Sequence, residues 1–169
     1  MVEAAAPLPQ TVREFFEDSY LFKTEGNKVL SVAEGSEAKA EGQKIVVLEK
    51  TIFHPQGGGQ PADEGHLKQG ETLFKVEGLV IKEDVILHVG KFEPEDATFE
   101  VDSEVECHVD EAKRRLNARN HSAGHLLDIA MNQVGRDDLK PGKGYHFPTG
   151  AYVEYIGAVD AKDRESLVT

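Results

Sequence analysis

The sequence predicts an α+β chain: a small β-barrel-like part, followed by an α+β part built on one helix. Three observations predict it. Through about residue 109, apolar residues recur with period two in short runs separated by turn residues. At Asp110 the period changes to that of a helix. Beyond that helix, two more strand-like runs flank Pro148-Thr149-Gly150. The expected divisions are a loose tail over 1–10, a barrel-like domain over 11–109 and an incomplete α+β domain over 110–169.

The elements follow in order. The first ten residues are rich in Ala and Pro and predict a loose start. Tyr20 and Phe22, the turn dipeptide Gly26-Asn27, then Val29, Leu30 and Val32 predict a hairpin. Ile45-Val46-Val47-Leu48 predicts a strand buried on both faces. Short strands are expected at Leu73–Val76, Leu79–Ile81, Val85–Val89 and Phe99–Val109, with turns at Glu83-Asp84 and Glu93–Asp96. His88, His108 and Cys107 lie in these strand patterns and are expected to pack rather than to act. Asp110 is a good N-cap, Gly135 ends the helix, and Asp160 or Ser166 would cap another.

Composition narrows the function classes. No apolar run approaches a membrane span, and the N-terminus lacks the basic-then-apolar pattern of a secretory signal. A single cysteine, Cys107, permits no intrachain disulfide and predicts a reducing, cytoplasmic setting, while the lack of a long apolar run predicts no membrane partner. The net charge of −12 disfavours broad attraction to nucleic acid. It leaves room for a local basic patch at Arg114, Arg115 and Arg119.

Two stretches carry candidate chemistry. In Thr51–Gly65, three consecutive glycines, Gly57, Gly58 and Gly59, precede Gln60 and Asp63. Glycines in a row allow the backbone to bend sharply or to lie close to something. The stretch is either a ligand loop or a mobile surface loop, and no Gly-Lys-Ser/Thr follows to make it a phosphate cradle. In Arg119–Leu127, His121 and His125 stand four residues apart, on one face of a helix. Ala112, Leu116, Ala123, Leu127, Ala130 and Val134 form an apolar stripe opposite, which is expected to pack. The histidines, beside Asp128 and Asn132, are by spacing either a metal chelate or a solvated polar face.

Taken together, these stretches resemble the editing region of alanyl-tRNA synthetase and its freestanding AlaX relatives. The likeness rests on Glu17–Tyr20, the Thr51–Gly65 motif, Asp110 with Arg114-Arg115, Asn120–Leu127, Gly144–Phe147 and Tyr152–Tyr155. It implies hydrolysis, in trans, of tRNA(Ala) mischarged with serine or glycine. It also implies zinc at His121 and His125, with Gly58, Gly59 and Gln60 as catalytic residues. Gly57, Asp63, Arg119 and Asn120 would then bind the substrate, the acceptor end of tRNA(Ala). The chain departs from that family in lacking its downstream Cys-x-x-x-His, so the zinc site is expected to be half complete and the chain shortened. Another departure is His54, which stands where an aromatic ring is usual. Two other classes compete: a non-catalytic module that binds tRNA or a synthetase, and a metal-dependent hydrolase of another small ester or amide.

Overall fold

The structure is a computed structural model that describes residues 8–159. Its strands are β1 (Val12–Arg13), β2 (Lys23–Ala33), β3 (Lys44–Leu48), β4 (Lys50–Thr51), β5 (Gly65–Gln69), β6 (Thr72–Lys82), β7 (Val85–Glu93) and β8 (Glu104–Val109). The helix α1 (Glu111–Gln133) and a hairpin, β9 (Lys140–Tyr145) with β10 (Tyr152–Ile156), follow. The described residues are thus mostly β with a single α-helix. They divide into two compact units: the chain through Gln56 with Ala62–Lys113, and Gly57–Pro61 with the chain from Arg114.

The first unit is a closed barrel in the order β2-β3-β7-β6-β5-β8. Val29, Val46, Leu48, Leu67, Phe74, Phe92, Phe99 and Cys107 belong to its main core, in which Phe92 meets Phe74 at 4.8 Å and Phe99 at 5.0 Å. On β3 the alternate residues Ile45 and Val47 join a second cluster with Val85, Leu87 and Val89. That strand is therefore buried on both faces, as its β-branched run predicts. Burial, opposed by a hydrogen bond with Thr24, pushes the Cys107 thiol up to about 12, so it packs as an apolar residue. His88 is fully buried, 2.8 Å from Thr51 Oγ1 and 3.1 Å from the Val46 carbonyl.

Several local readings are corrected. Gly26-Asn27 does not turn a hairpin; β2 runs straight through it, with a register shift between Thr24 and Asn27 against β8. Gly26 takes φ +68° and makes a bulge, and buried Asn27 donates its amide to the Val105 carbonyl at 3.1 Å. Likewise, Leu73–Val76 and Leu79–Ile81 are one strand, β6, broken only by a register shift between Val76 and Gly78. From the run Phe99–Val109 only β8 is a strand. The periodicity missed β5 and the short parallel pair β1–β4. The candidate caps Asp160 and Ser166 lie outside the described residues, as do residues 1–7 of the expected tail.

Asp110 caps α1 through its carboxylate, which accepts the Lys113 N–H at 3.0 Å. Beyond α1, Tyr145 and Tyr152 face each other across the hairpin with rings 5.4 Å apart, and Phe147 stacks on Tyr145 at 4.4 Å. The helix packs the opposite way from its apolar pattern. Leu116, Leu127 and Val134 are about half exposed, whereas Arg114, Asn117 and Gly124 are buried. At Gly124 the absent side chain makes room for the His146 ring, which a Cβ there would meet at 2.3 Å.

Candidate functional site

The glycine-rich stretch begins at a clamp within the first unit. The Asp63 carboxylate accepts the His54 N–H at 2.6 Å, and the Asp63 N–H returns to the His54 carbonyl at 2.9 Å. Asp63 is buried and fixes the loop base. His54 packs edge-on against Phe15 and Phe16, the use an aromatic ring would have.

Gly57–Pro61 lies in the second unit. Gly57 and Gln60 exchange both backbone hydrogen bonds, at 3.2 and 2.9 Å. Gly58 and Gly59 between them hold φ +57° and +81°, as a two-residue hairpin turn of this hand requires. A Cβ on Gly58 would lie 3.2 Å from His121 Cε1, and one on Gly59 would lie 2.4 Å from the Gly144 carbonyl oxygen. The glycines are therefore explained by both backbone hand and close approach. The turn and His121 share one site.

Gln60 is buried, with its Oε1 3.0 Å from His121 Nδ1. With the amide oxygen accepting, His121 carries its proton on Nδ1 and presents the Nε2 lone pair. His121 and His125 have ring centroids 5.0 Å apart. Asp128 stands 3.8 Å from His125 Nδ1 and accepts the Tyr155 hydroxyl at 2.6 Å. Burial first, and then that carboxylate, push the Tyr155 phenol up to about 12, so it stays a donor. Arg119 is exposed and Asn120 half-buried on the same helix, whereas Arg114 is buried and leaves the basic patch to Arg115 and Arg119.

Sequence reasoning gave no role to His146, which joins this cluster. Its ring stacks 4.7 Å from His121 and lies 6.5 Å from His125, and it is only 5% exposed. Its N–H donates to the Gly59 carbonyl at 2.9 Å. Glycines make its space: a Cβ at Gly124 would come within 2.3 Å of its Cε1, and one at Gly144 within 2.7 Å of its Nε2. Gly124, a glycine inside a helix at a cost of about 1 kcal/mol, was the available signal.

Two imidazoles, His121 and His125, with ring centroids 5.0 Å apart, are the residues that could hold a metal here. His121 is held in the right tautomer by Gln60, and His125 is open to solvent beside Asp128. Among the described residues, no three side chains of His, Cys, Asp or Glu converge closely enough to hold an ion.

Residues 4–113 match the family described as tRNA synthetases class II (A). The chain is 42% identical over 107 residues to an alanine–tRNA ligase of Leptospira borgpetersenii serovar Hardjo-bovis (strain JB197). It is 41% identical over 99 residues to those of Burkholderia mallei (strain NCTC 10229) and Burkholderia pseudomallei (strain 668). These alignments cover 62% and 58% of this chain, and 11% of each relative's length. The family match stops at Lys113, so His121, His125 and His146 lie beyond it. No helix among the described residues is long and apolar enough to cross a membrane.

Proposed function

We propose the following for a chain that belongs to the tRNA synthetases class II (A) family: it hydrolyses serine or glycine from wrongly charged tRNA(Ala), at a site where His121 and His125 hold zinc. The observation that carries this reading is the convergence of the Gly57–Gln60 turn on His121 within one unit, with Gln60 bonded to the imidazole. Water adds to the ester carbonyl carbon, the bond to the ribose oxygen breaks, and the free amino acid and a tRNA hydroxyl leave. Zinc, when bound, supplies a water acidified to a pKa of about 7 or a positive charge on the carbonyl oxygen. Gln60 fixes the proton of His121 on Nδ1. The Gly58 and Gly59 amides at the turn would donate to the carbonyl or ribose oxygen. Gly57 gives the acceptor end room, and Arg119 and Asn120 would meet its phosphate and hydroxyl groups. Asp63 contributes indirectly, through its clamp on His54.

The test is single-turnover hydrolysis of Ser-tRNA(Ala) by the chain with added zinc, beside a variant carrying His121→Ala and His125→Ala. The reading expects zinc-dependent release of serine that the double variant loses. Equal rates in the two proteins would overturn it, and tight tRNA binding with no release would favour a non-catalytic binding module.

A further inference from the structure

The first unit holds a second histidine pair, unused by the proposed reaction. His66 on β5 and His108 on β8 are direct cross-strand partners, with rings stacked 4.6 Å apart at 9°. Cross-strand partners on one face have Cβ atoms about 5 Å apart, which lets two side chains reach one ion. Both residues are half-buried in a cleft of about 650 Å³, which is also lined by Glu64, Glu93, Asp110, Lys75 and Lys113. Lys113 is paired with Glu64. Carboxylates therefore outnumber ammonium groups, and the cleft suits a cation better than a phosphate. Glu106 Oε2 lies 2.8 Å from His108 Nε2 and is itself held by Lys23 at 3.2 Å. A carboxylate on one ring nitrogen sets the tautomer and turns the other nitrogen into a ligand.

We propose that His66 and His108 form a metal site of their own, a two-imidazole chelate for a divalent first-row transition ion, with Glu106 as its positioning residue. Imidazole nitrogens suit such ions, and water would fill the remaining coordination positions. In the stack the two rings are nearly parallel, at 9°, so their lone pairs lie in separate planes, and both rings must turn out of the stack for one nitrogen of each to meet the ion.

The test uses zinc and the full chain carrying His121→Ala and His125→Ala, which removes the other pair from the reading. Zinc should bind one per chain by calorimetry and shift the ring nitrogen signals of His66 and His108 in ¹⁵N NMR. His66→Gln or His108→Gln should each weaken binding at least about tenfold, and Glu106→Ala about tenfold. The NMR readout needs no further substitution at the site, so it stands even where a Gln variant folds poorly. Unmoved His66 and His108 signals at saturating zinc, or zinc affinity unchanged in both Gln variants, would overturn the proposal.

Discussion

At the scale of single residues, the second unit is arranged around imidazoles. Gln60, with its Oε1 3.0 Å from His121 Nδ1, orients the imidazole that the proposed function needs as a zinc ligand. Gln60→Leu keeps the side chain's bulk and removes the acceptor. Outer partners of ligating histidines are typically worth 10–100-fold in metal affinity, so this variant should bind zinc about tenfold more weakly by calorimetry while its circular dichroism stays unchanged. His121 and His125 were legible because a spacing of four residues is a local property of a helix. His146 was not, because its place is set by contacts with Gly59 and Gly124, distant in sequence. His88 illustrates the other fate of a buried histidine. Burial, opposed by the Val46 carbonyl, lowers its pKa to about 4. The unfolded chain binds that proton near pH 6.5, so between pH 6.5 and 4 the unfolded state takes up more protons. Stability is therefore full above about pH 6.5 and falls as the pH drops through the window, by about 3 kcal/mol for this group. Urea midpoints of His88→Gln should show a flatter dependence over that window than those of the parent.

At the scale of elements, which face of α1 packs can be measured. Leu127 is 52% exposed, so Leu127→Ser should change stability by no more than about 0.5 kcal/mol. Gly124→Ala places a methyl group 2.3 Å from His146 Cε1 and should cost about 1–3 kcal/mol. Urea denaturation gives both values; the reverse order would mean that the apolar stripe carries the packing. The apolar period located the helix and its N-cap correctly, but it cannot report which face finds neighbours. The strands behaved similarly. Runs such as Ile45–Leu48 were legible because a strand buried on both faces needs no partner to be recognised. The Gly26-Asn27 turn failed because a bulge and a hairpin turn use the same left-handed glycine. The pairing of β2 with β8, far along the chain, decided between them.

At the scale of the whole molecule, the barrel was legible as many short strands, although its closure, β8 back onto β2, is a long-range event. Gly57–Pro61 belongs with the chain beyond Lys113, which no local pattern could show. The family match covers 4–113, which includes Gly57–Gln60 but not His121 and His125, so the metal is where the proposed function is most exposed to test. With two imidazoles, zinc should be held weakly. The most direct measurement is a zinc titration of the chain followed by histidine ring ¹⁵N NMR at neutral pH. The account predicts that the His121 Nε2 signal and one ring nitrogen of His125 shift together, saturating at one zinc for that pair, while His121 Nδ1 remains protonated toward Gln60. His121 and His125 signals that stay in place through saturating zinc would contradict it.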